Sequence, residues 1–228
     1  FSNKLDVSGQ SKAMCVGDTC PISGLPGRAG QTAQFDGVND ALSLSSGEAL
    51  GLVNGDFTVS AWVKPSDLNG DRAVLGTLEE ANNRGLQLLF RTGKPYFGFY
   101  GNDTAGNTAL QTGQWYHLLW RYTKSSGEQA IYLNGVKDAA TIGHSPFLGN
   151  GALYVGRALS GAYFKGSIDE VRVYRKALTD DEIQTDYRRV PTLNLPLDDF
   201  TAANGLIDLS GNNFKGTCSG LACPKLGE

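Results

Sequence analysis

Apolar and polar residues alternate with a period of two along much of the chain, in short runs broken by Gly, Asn and Asp. That period reads as half-buried β-strands separated by turns. Thr32–Gly37 and Asp40–Leu44 form two such runs, with a turn at Asp36–Asn39. Phe57–Pro65 is a longer run that stops at proline, after a turn at Asn54-Gly55-Asp56. Further strands are predicted over Ala73–Thr77, Gly85–Phe90 and Lys94–Tyr100. After Gly113-Gln114, one face carries Tyr116, Leu118, Trp120 and Tyr122, and the other carries Trp115, His117, Leu119 and Arg121. Gln129–Leu133 runs into Asn134-Gly135, a strong hairpin signal, and then Val136. Ala152–Arg157 precedes the closing strand, where Ile168, Glu170, Arg172 and Tyr174 alternate with Asp169, Val171, Val173 and Arg175. Thr179 followed three residues later by Glu182 is a capping box, so one short helix should start there, its C-terminus favoured by Arg188-Arg189. About a dozen strands and one late helix predict an all-β, two-sheet antiparallel sandwich with a short C-terminal helix.

At 228 residues the chain can bury one sizeable core. Thirty glycines against one methionine fit a turn-rich β design. The net charge is −3 and no basic run occurs, which disfavours nucleic acid as a partner. No apolar run approaches the ~18–20 residues of a membrane helix. A start at Phe1, without Met or leader, reads as a processed product or a piece of a longer chain. The four cysteines fall into two close pairs, Cys15 with Cys20 and Cys218 with Cys223, each followed by proline. Two local disulfides are expected rather than one zinc site, because zinc pairs are usually closer in sequence. That places the protein outside the reducing cytosol, extracellular or at a cell surface.

The two ends resemble each other. Leu5-Asp6-Val7-Ser8-Gly9 and the Cys15 loop match Ile207-Asp208-Leu209-Ser210-Gly211 and the Cys218 loop, offset by 202 residues at Ser-Gly and 203 at the cysteines. This reads as an internal repeat. Residues 1–189 would then be one domain lacking its first strand. Residues 190–228 would be a linker plus the opening strand and Cys loop of the next repeat, packed on a neighbouring domain. Leu193, Leu195 and Leu197 alternate as that opening strand. Two arrangements fit: a window cut from a tandem array, or a strand donated to the next molecule.

Six motifs stand in a fixed order: Phe35-Asp-Gly37, Phe57–Val63, Gly113–His117, Ile131–Gly135, Tyr154–Arg157 and Gly166–Val171. Over about residues 31–187 they resemble the laminin-G-like, concanavalin A-like jelly roll of secreted multidomain proteins. The resemblance implies two packed antiparallel sheets and extracellular placement. It leaves function open, since such domains bind sugars, bind proteins or serve structure.

Catalysis is not expected. Only His117 and His144 are present, no nucleophile elbow occurs, and the alternating E-x-D-x-x-E carboxylates of sandwich glucanases are missing. Asp169 and Glu170 are adjacent and so should face opposite ways. A calcium site is an expectation resting on Asp6 or Asp208, Asp36, Asn39 and Asp169, since hard cations want several oxygens. The alternative is that these residues only close turns or hold backbone amides. A sugar face would use Tyr96, Tyr100, Trp115 and Asn102, against the alternative that aromatic residues at strand spacing are packing. The expected function is a non-catalytic structural or adhesion repeat that assembles with copies of itself. The alternative is a calcium-assisted carbohydrate-binding module.

Overall fold

The computed structural model describes residues 4–5, 12–189, 206–207 and 215–216. In chain order its strands are β1 (Lys4–Leu5), β2 (Lys12–Ala13), β3 (Ile22–Pro26), β4 (Gln31–Asp36), β5 (Leu42–Ser46), β6 (Phe57–Pro65) and β7 (Asp71–Gly76). They continue as β8 (Gln87–Arg91), β9 (Lys94–Gly98), β10 (Asp103–Ala105), β11 (Tyr116–Thr123), β12 (Glu128–Leu133) and β13 (Val136–Thr141). The last are β14 (Ala152–Val155), β15 (Arg157–Ala158), β16 (Ala162–Tyr163), β17 (Lys165–Tyr174), β18 (Leu206–Ile207) and β19 (Lys215–Gly216). The one α-helix is α1 (Asp180–Arg188).

Two antiparallel sheets carry the domain. The larger runs β13-β12-β11-β6-β17-β4-β3, and the smaller runs β10-β9-β8-β7-β14-β5. The alternation in β6 and β11 sends Phe57, Val59, Val63, Leu118, Trp120 and Tyr122 inward to meet Leu88, Phe90 and Phe97 of the smaller sheet. Phe57, Phe97, Phe99 and Tyr122 meet edge-on or tilted at 5.2–6.1 Å between ring centres. The buried indole of Trp120 donates to the Tyr96 carbonyl at 3.1 Å, so no polar group is stranded there.

The larger sheet is buried on its outer face as well, because α1 lies across it. Thr179 caps the helix: its hydroxyl accepts from Glu182 N, and the Glu182 carboxylate accepts from Thr179 N at 3.0 Å. Leu178 and Ile183 pack on Leu119, Ala130 and Tyr132. Beside them sits a buried polar group. Asp186 is 2% exposed and accepts from the Tyr174 hydroxyl at 2.6 Å. Its other oxygen lies 3.2 Å from Nε2 of the fully buried His117, a close polar contact rather than a well-aligned hydrogen bond. Arg172 adds a guanidinium nitrogen at 3.5 Å.

The strict alternation expected through β17 is broken. Asp169 faces Trp62 while Arg172 faces Ser60, so one residue is extra, and Glu170 takes φ 51°. This bulge resets the faces: Ile168, Val171 and Val173 all pack against the core, while Asp169, Arg172 and Tyr174 look outward. β3 is exposed at every position and forms an edge of the larger sheet.

The Cys15–Cys20 disulfide is formed. Just before it, Met14 exchanges both backbone hydrogen bonds with Ser43 (3.0 and 2.7 Å), extending the β5 edge by one bridge. At the ends of the chain, β1 pairs with β2 through Leu5 and Lys12, and β18 pairs with β19 through Ile207 and Lys215. Asp6, Asp208, Cys218, Cys223, Leu193, Leu195 and Leu197 lie outside the described residues.

Candidate functional site

The outer face of the smaller sheet carries a cleft. Its roof is the β15–β16 hairpin, which crosses β7 and β8. Ala158 and Ala162 are small enough to lie flat on Ala73 and Leu89, with Leu159 and Tyr96 at the margin. Gly76 permits the approach, since a Cβ there would stand 2.5 Å from that of Ala158. Two bonds hold the tip: Leu159 N donates to the Thr77 carbonyl at 2.9 Å, and Ser160 N donates to Glu80 Oε1 at 2.8 Å. Beneath it opens a space of about 370 Å³ whose walls include Asp71, Arg72, Glu80, Tyr100, Leu159 and Ser160.

The charges around the cleft are mostly paired. Arg91 grips Asp71 with two bonds of 3.0 and 2.7 Å, and its guanidinium lies 4.1 Å above the Tyr96 ring. Arg72 is turned to Asp67 and donates to the Asp71 carbonyl. Burial, helped by the neighbouring Asp103 carboxylate, pushes the Tyr96 phenol up to about 12. Glu80, by contrast, has no cation within 4.0 Å among the described residues. Tyr100 reaches the cleft from a turn in which its backbone is left-handed, φ 65°. Among the described residues its hydroxyl has no hydrogen-bond partner, leaving it available to a ligand.

Of the four residues expected on a sugar face, only Tyr100 lines the cleft. Tyr96 shares that sheet face beneath Arg91. Trp115 is half-buried, one residue before β11 of the other sheet. Asn102 is fully engaged. Its amide nitrogen donates to Asn83 Oδ1 (2.6 Å) and the Ser145 carbonyl (3.0 Å), and its oxygen stands 2.5 Å from His144 Nδ1. Since that oxygen can only accept, Nδ1 carries the proton, and Nε2 accepts from Thr141 at 2.6 Å.

Burial lowers the basicity of His144, against the opposing pull of Asp103. The folded protein therefore binds this proton less readily than the unfolded chain. Its stabilising contribution is complete above about pH 6.5 and is lost as pH falls from there through the lowered folded value. Thermal melts at pH 7.5 and pH 5 should show a loss in the wild type that His144→Gln reduces. An equal loss in both would assign the acid sensitivity elsewhere.

The calcium candidates do not converge. Asp36 Oδ1 accepts from the backbone of Val38, Asn39 and Asp40 at 2.8–3.4 Å, and Asp36 N donates to Asp40 Oδ2 at 2.8 Å. Slight burial raises the Asp36 pKa, but these backbone donors outweigh it and hold the carboxyl below its usual range. Asp169 accepts from Arg28 N (2.7 Å), Ala29 N (3.0 Å) and Glu170 N (2.8 Å), fixing the 27–30 turn to β17. Burial still raises its pKa above the usual value, against those donors. Gly27 makes room for it: a Cβ there would fall 2.5 Å from Asp169 Oδ2. Among the described residues no three His, Cys, Asp or Glu side chains gather closely enough to hold a metal ion. No described helix is long and apolar enough to cross a membrane.

Two packed antiparallel sheets with one short helix make a jelly-roll sandwich. The family model described as the concanavalin A-like lectin/glucanases superfamily matches residues 36–184, and the chain belongs to that superfamily. No curated protein matches it. Among solved structures it is similar to domain 4 of AbnA, a GH43 extracellular arabinanase from Geobacillus stearothermophilus, in complex with arabinotriose. That match has 24% identity over 73% of this chain and 81% of that one, with a TM-score of 0.61. It is similar to the binding domain of Paraclostridial Mosquitocidal Protein 1 at 16% identity and TM-score 0.69, covering 87% of this chain and 52% of that one. A putative carbohydrate binding protein from Bacteroides ovatus matches at 20% identity and TM-score 0.55, covering 79% of this chain and 56% of that one. At these identities the likeness is one of fold.

Proposed function

We propose that this domain is an extracellular, non-catalytic carbohydrate-binding module whose sugar sits in the cleft under the β15–β16 hairpin. The observation that carries the reading is the cleft itself: about 370 Å³, with an aromatic wall at Tyr100, apolar surface at Leu159, and carboxylate and hydroxyl groups at Glu80 and Ser160. A sugar ring needs this combination of an apolar surface for its C–H face and acceptors for its hydroxyls. The arabinotriose complex of the AbnA domain and the description of the Bacteroides ovatus protein support the class of ligand. A binding role is favoured over a catalytic one because Asp71, one of the two carboxylates in the wall, is locked by Arg91, and no histidine lines the cleft. Calcium is not needed for the reading, since Asp36 Oδ1 and both oxygens of Asp169 already accept from backbone donors.

Titration of neutral and acidic oligosaccharides by calorimetry, with and without chelator, tests this. The wild type should bind at least one, and chelator should not matter. Tyr100→Ala should weaken binding about fivefold to tenfold, since an aromatic contact contributes ~1–1.5 kcal/mol. A folded wild type that binds no glycan overturns the reading. Loss of binding in chelator alone would bring calcium into the site.

The two matching terminal hairpins favour a second, compatible reading, that the module is one repeat of a self-assembling or tandem array. Lys4 and Leu5 pair with Ala13 and Lys12 as Leu206 and Ile207 pair with Gly216 and Lys215. Electron microscopy of native material should show regularly spaced beads; isolated globules would count against it.

A further inference from the structure

We infer that the cleft accepts an uncharged sugar and turns away uronic or sulfated ones, and that Glu80 sets this preference; the inference rests on the carbohydrate-binding reading. The argument is a balance of charge at the cleft wall. Asp71 is neutralised by Arg91 and Arg72 by Asp67. Next to Glu80, Glu79 pairs with Arg84. Asp103, on the same sheet face, accepts from Gly101 N and adds negative charge near Tyr96. That leaves Glu80 as the wall carboxylate without a cation among the described residues. One of its oxygens is fixed by Ser160 N, which holds it at the mouth beside the hairpin tip. Sugar hydroxyls can donate to a carboxylate held this way. A second carboxylate or sulfate would meet it as a like charge at the cleft mouth, where Glu80 is exposed and the repulsion is largest at low ionic strength.

Glu80 therefore has two separable jobs. Its Oε1 supports the hairpin by accepting from Ser160, which an amide oxygen can also do. Its charge selects the ligand, which an amide cannot. Glu80→Gln keeps the first and removes the second.

The test compares a neutral galactan oligosaccharide with a galacturonan oligosaccharide of equal length, on wild type and Glu80→Gln. The wild type should prefer the neutral ligand by about fivefold or more at low ionic strength. Glu80→Gln should narrow that ratio, and 0.5 M salt should narrow it in the wild type. A wild type that prefers the acidic ligand overturns the inference, as does a ratio unchanged in Glu80→Gln, while either leaves the carbohydrate module standing. Binding of neither ligand by the folded wild type, with silence across a wider glycan set, overturns both.

Discussion

Asp186→Ala should lower the melting temperature by roughly 10 °C. The carboxylate is almost wholly buried between α1 and the outer face of the larger sheet, where it meets His117, Tyr174 and Arg172. Removing it leaves the His117 imidazole and the Tyr174 hydroxyl without their partner at a buried position. Breaking such a buried pair costs about 3–5 kcal/mol, and in a chain of this size each kcal/mol is worth ~2–4 °C. In a cycle with His117→Ala, the double variant should lose less than the sum of the single losses, because the second change no longer strands a buried polar partner. The pH dependence has a definite sign. Burial alone would raise the Asp186 pKa, but the neighbouring His117 and Ser60 and the hydrogen bond from Tyr174 outweigh it and hold the carboxyl well below its usual range. Its contribution is therefore complete above about pH 3.9, the unfolded value, and is lost as pH falls from there through the folded value. Asp186→Asn should flatten the acid limb of the stability profile below pH 4. A shift under about 3 °C for Asp186→Ala would show that the pair does not hold the helix in place. Glycan affinity measured well below the melting temperature should be little changed, because the cleft is on the other sheet.

Local signals made much of this fold legible in the sequence. Phe57–Pro65 is the observed strand, Thr179 caps the observed helix, and Asn134-Gly135 takes the two left-handed residues of a tight hairpin, φ 51° and 80°. Each depends on neighbours a few residues away. The bulge at Glu170 was not legible, because it exists only against Trp62 and Ser60 of β6. The β15–β16 hairpin escaped for another reason. It packs through alanines, which give a weak amphipathic signal, although Ser160-Gly161 is a turn signal that could have marked its tip. The site was the least legible part. Tyr100 was among the aromatic candidates, but Glu80 gains its role only when a hairpin 80 residues later folds over it. Asn102 looked like a loop residue free to bind, yet the fold uses all of its amide to join the 83, 102 and 144 segments.

The start of the closing strand supplies the other large effect. Gly166 has φ 135°, in a region that L side chains rarely adopt, and it sits where β17 is paired on both sides, to Pro65 of β6 and Phe35 of β4. A Cβ there would stand 2.2 Å from the Lys64 carbonyl oxygen and 2.9 Å from Ser66 N. Both are backbone atoms, at the end of β6 and just past it, and moving them aside would break the pairing of Lys64 with Ser167 and the bond from Ser66 N to the Lys165 carbonyl. Gly166→Ala should therefore cost about 3 kcal/mol or more, combining the backbone strain with the displacement of β6, and lower the melting temperature by about 10 °C. Two other glycines separate these contributions. Gly113 also has positive φ, 80°, but a Cβ there meets nothing within 4 Å, so Gly113→Ala should show the strain alone, about 1 kcal/mol. Gly161, at the hairpin tip, is open and lacks a positive φ, so Gly161→Ala should leave stability within about 0.5 kcal/mol of wild type. Thermal melts of the three variants should fall in that order. If Gly166→Ala proved no worse than Gly113→Ala, the clash with the Lys64 carbonyl would be relieved by movement, and β17 would be less rigidly fixed between its neighbours than its pairing implies.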